Sequence, residues 1–381
     1  MQKYQNWIWQ QADWPNFNYD IKQLLLDINT LSRLIGGLEM SCRWMEGEEL
    51  LDVQAQVLAE DAIETSAIEG EILRRSSVHA SIRKQLGLPL EIDDSNIRTD
   101  NLVLMLMDVR NNAKRPLTLE MLFAWQAALF PTGYSGLHPI HVGRYRGKEQ
   151  MQIVSGPLGK EKVHYIAMPS SQLQDEMSQF LLWVNNVNEI EPILKAGIAH
   201  LWLIMIHPFD DGNGRISRAV TDYLLSKHFP KLMQIISFSK QVSLDKKGYY
   251  LVLEKAGKNG LDITDWLKWF LQTLTFALNE SHGIIEQVIQ KTQFWHKHKD
   301  TPLNARQRKV LNRLLDAGNR FEGGMTTRKY ASIGKCSKVT ASRDLSDLES
   351  KDILQKRLGG GRSTSYEIKL NKINKKTNNF K

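Results

Sequence analysis

Through most of the first 290 positions of this chain, apolar residues recur three and four apart, the spacing that lines them along one face of an α-helix. Ile21, Leu24, Leu25, Ile28, Leu31 and Leu34 form the first such face, which Gly36 and Gly37 are expected to interrupt or end. A second runs from Glu48 to Gly70 through Leu50, Leu51, Val53, Val57, Leu58, Ala62 and Ile63. Others follow near Asn101–Asn111, Leu119–Leu129, Ser171–Val187 and Pro192–Ile206, with a long one from Asp262 to about Lys291. Two places break the rhythm. Between Gly143 and Met168, two short β-like runs, Met151–Val154 and Val163–Ala167, flank the turn residues Ser155–Gly159 and predict a hairpin. At His207–Gly214 the helix stops in a glycine-rich loop, and helical spacing restarts from Arg215 to Phe229.

Beyond the polar run His296–Asp300, the pattern predicts a helix over Asn304–Ala317, a short one over Thr327–Ser332 and a third over Lys338–Ser350 with Ser337 as its N-cap. Strands Ile353–Arg357 and Ser363–Ile368 around Gly359–Arg362 complete a winged-helix order. The expected architecture is therefore mostly α, with a β-hairpin flap in a helical core and a small C-terminal α+β unit. Its parts are an N-terminal aromatic and helical region over 1–45 that packs on the core, the core over 46–295, a winged-helix-like domain over 301–370 and a disordered basic tail over 371–381.

Composition adds constraints. The two cysteines, Cys42 and Cys336, lie far apart and in no metal-ligand spacing, so neither a disulfide framework nor a zinc site is expected. Residues 1–13 lack a secretory layout and the densest apolar run, Leu201–Ile206, is too short to span a bilayer, so the expectation is a cytoplasmic protein with no membrane partner. The net charge of +8 is uneven: residues 301–381 hold 19 lysines and arginines against 7 acids, an excess of 12, which leaves residues 1–300 at −4. A winged helix would present Lys338, Thr340, Ser342 and Arg343 from its third helix and Arg362 from its wing to DNA. Asp344, Asp347, Glu349 and Asp352 oppose that on the same stretch, and DNA and protein contact both stay open.

The break at His207 carries the chemistry. A helix restarting after Gly212-Asn213-Gly214 offers free backbone N–H groups and a positive dipole end, which suits phosphate. The glycines allow close approach, and Arg215 and Arg218, three apart, supply forked donors. Asp211 is a hard oxygen ligand for Mg²⁺, and His207 has a side chain suited to accepting a proton from a hydroxyl. His200, seven residues earlier, reads as structural.

The run His-Pro-Phe-Asp-Asp-Gly-Asn-Gly-Arg-Ile-Ser-Arg over 207–218 resembles the Fic family signature, HxFx(D/E)GNGRxxR, at every specified position. The resemblance implies transfer of AMP from Mg-ATP to a Ser, Thr or Tyr hydroxyl of a protein, with release of pyrophosphate. It implies His207 as general base, Asp211 as the Mg²⁺ ligand and Phe209 as a core anchor. Gly212, Asn213 and Gly214 would line the anion hole, with Arg215 and Arg218 on the outer phosphates. Gly214 sets the chain apart from the phosphate-transferring branch, which carries lysine there. Thr65-Ser-Ala-Ile-Glu69-Gly70 is similar to the family's inhibitory motif, (S/T)xxxE(G/N), and implies that Glu69 pairs with Arg218. The hairpin over 143–168 resembles the family's flap, which implies a target protein docked by strand addition. Arg144, Arg146 and Lys148 just before it read as solvated surface charge. The expected partners are ATP, the target, DNA through the C-terminal domain, and the chain itself by self-modification or as a homodimer. Removal of AMP, transfer of another nucleotide or phosphoryl group, and a DNA-binding regulator that uses the core as a nucleotide sensor are the alternative readings.

Overall fold

The computed structural model describes residues 7–42, 48–90, 92–155, 162–258, 260–317, 321–357 and 364–369. It divides into two compact units, residues 1–282 and 283–381. In the first are α1 (Ile21–Cys42), α2 (Glu48–Ile68), α3 (Arg75–Gln85), α4 (Ile97–Asn111), α5 (Leu119–Leu129), the two-residue strands β1 (Tyr134–Ser135) and β2 (His138–Pro139), and the hairpin strands β3 (Gln152–Ser155) and β4 (Lys162–Ile166). Then come α6 (Leu173–Asn186), α7 (Pro192–Ile206), α8 (Asn213–His228), α9 (Phe238–Leu244), α10 (Lys246–Ala256) and α11 (Thr264–Lys297), which runs on into the second unit. The fold is mostly helical, and no described helix is long and apolar enough to cross a membrane.

The first unit is built around α7. Pro192 sits in its first turn, Glu191 accepts from the N–H groups of Ile193 and Leu194 at 2.8 and 2.9 Å, and every residue from Ile193 to Ile206 is buried. A helix that is covered on all sides is the centre of its core. It packs against α8, where His200 is fully buried between Thr221 (2.8 Å) and the Tyr249 hydroxyl (2.9 Å), a structural histidine. The first helix does not stop at Gly36 and Gly37: α1 continues to Cys42. Two interior glycines cost a helix about 2 kcal/mol relative to alanine, and burial of Leu31, Ile35 and Leu38 on the inner face offsets this.

Beneath α2, α4 and α8, Arg110 lies between two buried carboxylates, 2.6 Å from Asp61 and 3.2 Å from Asp222, with Ser237 donating to Asp61 at 2.8 Å. Burial, and then the charge of Asp61, push Asp222 up to about 8. The N-terminal aromatics pack behind the hairpin: Trp9 donates to the Ile166 carbonyl at 2.7 Å, and Trp7 meets the Tyr165 ring edge-on at 5.4 Å.

The second unit holds α12 (Ala305–Ala317), α13 (Thr327–Gly334), α14 (Lys338–Ser350), β5 (Leu354–Lys356) and β6 (Tyr366–Ile368), the two strands pairing antiparallel. Its core of Val310, Leu311, Tyr330, Leu345, Leu348 and Ile353 includes Phe294 from the end of α11. The division therefore falls inside α11, ahead of the boundary at 295 that the sequence suggests. Arg362, the hairpin turn at 156–159 and the tail from 371 lie outside the described residues.

Candidate functional site

His207 ends α7 in the left-handed region, φ 54° and ψ 59°, a conformation that turns the chain sharply into the loop. Its Nδ1 lies 3.1 Å from the Ile204 carbonyl. A carbonyl only accepts, so Nδ1 carries the hydrogen and Nε2 is left with its lone pair. Burial pushes the imidazole down to about 4, so at physiological pH it is neutral and its Nε2 lone pair is unprotonated.

The loop is held by residues that touch its backbone. Asn213 accepts from Phe209 N–H at 3.0 Å and donates to Phe209 O at 2.8 Å, so its side chain closes the loop and only its backbone N–H is left for the cavity. Phe209 is fully buried against Phe123. Asp210 accepts from the N–H groups of His141 (2.7 Å) and Gly147 (3.2 Å) and meets His141 Nδ1 at 2.7 Å. Arg146, expected as solvated charge, is 5% exposed: its Nε donates to the His207 carbonyl at 2.8 Å and its Nη2 to that of Met168. Arg144, Arg146 and Lys148 alternate as surface cations commonly do, so nothing in the pattern singles out Arg146 for this role.

Gly212 caps α8 at φ +91°, and Asp211 stands beside it, accepting from Gly212 N–H at 2.5 Å and from the Ser135 hydroxyl. The first turn of α8 leaves its N–H groups without intrahelical acceptors, an arrangement that suits an anion.

At that point the structure already holds a carboxylate. Helix α2 ends in a Schellman turn: Glu71 N–H bonds Ser66 O and Gly70 N–H bonds Ala67 O, both at 3.0 Å, with Gly70 at φ +82°. The turn aims two acids at α8. Glu69 Oε1 accepts from Arg218 Nη2 at 2.8 Å, and Arg218 also donates from Nε to the Thr65 hydroxyl and from Nη2 to the Thr65 carbonyl, both at 2.9 Å. Burial works against the Arg218 charge, yet the Glu69 carboxylate beside it holds the guanidinium above its ordinary value. The spacing Thr-x-x-x-Glu-Gly thus has a physical reading: hydroxyl and carboxylate share one helix face, and glycine supplies the left-handed cap. A Cβ at Gly214 would lie 2.2 Å from Glu69 Oε1 and 3.2 Å from Arg218 Nη1, so a side chain there would displace the carboxylate. Glu71, which sequence reasoning missed, binds Arg215 Nη1 at 2.9 Å and Arg98 at 2.7 Å, while the Arg215 guanidinium stacks 4.9 Å from the Phe130 ring.

These groups border a cavity of about 800 Å³. Its wall brings together His207, Asp211, Gly212, Asn213, Gly214 and Glu69, with Met151–Val154, His164 and Tyr165 from the hairpin and Tyr249, Tyr250 and Glu254 from α10. Arg215 and Arg218, 5% and 2% exposed, stand behind it. Strands β3 and β4 pair only with each other among the described residues, and the Trp9 indole bonds the Ile166 carbonyl of β4, so β3 keeps an edge free of strand pairing. Lys338, Ser342 and Arg343 lie in the second unit, exposed on α14.

Comparison with known proteins matches residues 116–225 to the Fic/DOC family and residues 7–88 to a domain of unknown function, DUF4172. A protein named protein adenylyltransferase Fic from Nematostella vectensis is 30% identical over 135 residues, 35% of this chain and 27% of that protein. A uridine 5'-monophosphate transferase from Xanthomonas campestris pv. campestris is 30% identical over 120 residues, 30% of this chain and 22% of that one. The chain thus spans about a quarter of these relatives' lengths. In fold it resembles the crystal structure of a Fic family protein from Desulfovibrio desulfuricans, with a TM-score of 0.56 and 19% identity over 91% of this chain and 95% of that one.

Proposed function

With residues 116–225 belonging to the Fic/DOC family, we propose that this chain is a protein adenylyltransferase that moves AMP from Mg-ATP to a Ser, Thr or Tyr hydroxyl, restrained by Glu69. One observation carries the reading: the neutral His207, the Asp211 carboxylate and the N-terminus of α8 border a single cavity whose remaining wall includes a hairpin with a free edge. The target segment adds to that edge and brings its hydroxyl to His207 Nε2. As the hydroxyl oxygen bonds the α-phosphorus, its proton passes to Nε2, the bond from that phosphorus to the bridging oxygen breaks, and pyrophosphate leaves. The α8 N–H groups hold the phosphate oxygens as charge develops on them.

The Asp211 carboxylate, fixed by Gly212 N–H and Ser135, fits a single hard-oxygen contact to Mg²⁺, whose remaining ligands are phosphates and water. When bound, the ion neutralises phosphate charge.

Glu69 sits on the donors that the terminal phosphate needs, and Glu71 engages the second arginine, so both forks must be released before ATP settles in line. The relatives' names, adenylyl and uridylyl transfer, support nucleotide transfer as the common chemistry. Incubating Glu69→Gly protein with ATP labelled at either the α or the γ phosphate, and with α-labelled UTP, tests the reading. Protein-bound α label from ATP is expected. Retained γ label would sink nucleotide transfer, and preference for UTP would replace AMP by UMP.

A further inference from the structure

We propose that the α13–α14 pair of the second unit is a docking surface for double-stranded DNA, independent of the reading of the first unit. The objection from sequence was the acids on α14, and the structure removes it. Of the seven acids over 301–381, five pair with cations among the described residues: Asp344 with Arg306 (3.1 Å), Asp347 with Lys351 (2.6 Å), Glu349 with Lys356 (3.0 Å), Asp352 with Lys369 (2.5 Å) and Glu367 with Arg357 (3.4 Å). Asp344 is also turned inward, 6% exposed, accepting from the Tyr330 hydroxyl at 2.9 Å.

What α14 turns outward is different. Lys338 and Ser342, and Val339 and Arg343, are two pairs spaced by four along the first half of the helix, all exposed, Val339 to 72%. Lys335 stands in the three-residue turn between α13 and α14, held in the left-handed region at φ 48°, and Arg328 is exposed on α13. Among the described residues none of Arg328, Lys335, Lys338 and Arg343 pairs with a carboxylate. Thr340, expected on the same face, is half-buried and shares its hydroxyl with the Ser337 cap at 3.0 Å.

Two helices joined by a three-residue turn, with cations at the turn and on the first turns of the second helix, match the way a helix-turn-helix enters a groove. The B-DNA major groove admits a helix, and an exposed Val339 can meet a thymine methyl group there. The deep, narrow major groove of duplex RNA does not admit one. Four cations on phosphates give a salt slope of about −3.6 and non-specific dissociation constants of roughly 1–100 μM near physiological salt.

The test titrates the full chain into a labelled mixed-sequence DNA duplex of about two helical turns, followed by anisotropy across a salt series. Three variants accompany the wild type: Lys338→Glu with Arg343→Glu, Lys338→Gln with Arg343→Gln, and a charge-matched control, Lys22→Glu with Arg33→Glu, on exposed positions of α1. Circular dichroism checks that each is folded. The proposal expects the glutamine pair to flatten the slope by about 1.8, the glutamate pair to abolish binding, and the control to bind as wild type. It is overturned if the wild type binds no duplex at low salt, if the control loses as much as the α14 pair, or if duplex RNA or polyglutamate binds equally well.

Discussion

Replacing Glu69 by glycine removes the carboxylate that holds Arg218 Nη2 at 2.8 Å. The two side chains are 26% and 2% exposed, so the bond is only partly screened. A charge-assisted hydrogen bond of this kind contributes about 1.5–3 kcal/mol, and on the proposed function a nucleotide would have to displace it in the wild type before its outer phosphate reached the arginine. Removing the competitor should tighten Mg-ATP binding by about 10- to 150-fold. Arg218 keeps its bonds to Thr65, so the variant should fold, melting lower than wild type when empty and recovering in saturating ATP. Calorimetric titration of wild type, Glu69→Gln and Glu69→Gly with Mg-ATP measures this, with the neutral amide falling between the other two. Unchanged ATP affinity in a folded Glu69→Gly protein would refute competition for Arg218.

Three further outcomes follow from the same geometry. Removing Glu71 should help only when Glu69 is already gone: Glu71→Ala in the Glu69→Gly background is expected to tighten ATP binding by up to about tenfold, and to change little alone, measured by the same calorimetry. Arg146→Ala leaves the His207 and Met168 carbonyls without their charged donor and should cost about 2–5 kcal/mol in urea unfolding, while Arg146→Lys recovers part of both stability and transfer rate. Asp222 is protonated in the fold up to about 8 but ionises near its ordinary 3.8 when unfolded, so the native state binds the extra proton between those values. Wild-type stability should therefore fall as pH rises through that window, and Asp222→Asn should flatten the fall in urea midpoints between about pH 4 and 8.

The sequence made the local features legible and left the long-range ones out. The loop at 207–214 and the acid at Glu69 could be found because their chemistry is packed into short runs with unusual residue spacing. The helices could be placed because period and burial coincide, as in α1, where Leu24, Leu31, Ile35 and Leu38 are buried at helical spacing. Gly36 and Gly37 misled because propensity reads each residue alone, whereas Leu31, Ile35 and Leu38 hold α1 from the other side. Asp61, Arg110 and Asp222 meet across separations of 49 and 112 residues, which no local pattern records. Arg146 and Glu71 lie one step outside recognisable motifs, and only the backbone turns at Gly70 and His207 bring them to bear. The cavity walls from α10, Tyr249 and Tyr250, had no distinguishing spacing at all. On α14, the charges were legible but their direction was not, and direction decides whether Asp344 repels a phosphate or anchors a core.

The most direct measurement is incorporation of α-phosphate label from Mg-ATP into the protein itself and into a cell lysate, comparing wild type, Glu69→Gly, and Glu69→Gly combined with His207→Ala. The account predicts weak labelling, strong labelling and none, in that order. Labelling that persists without His207, or a folded, ATP-binding Glu69→Gly protein that labels nothing, would contradict it.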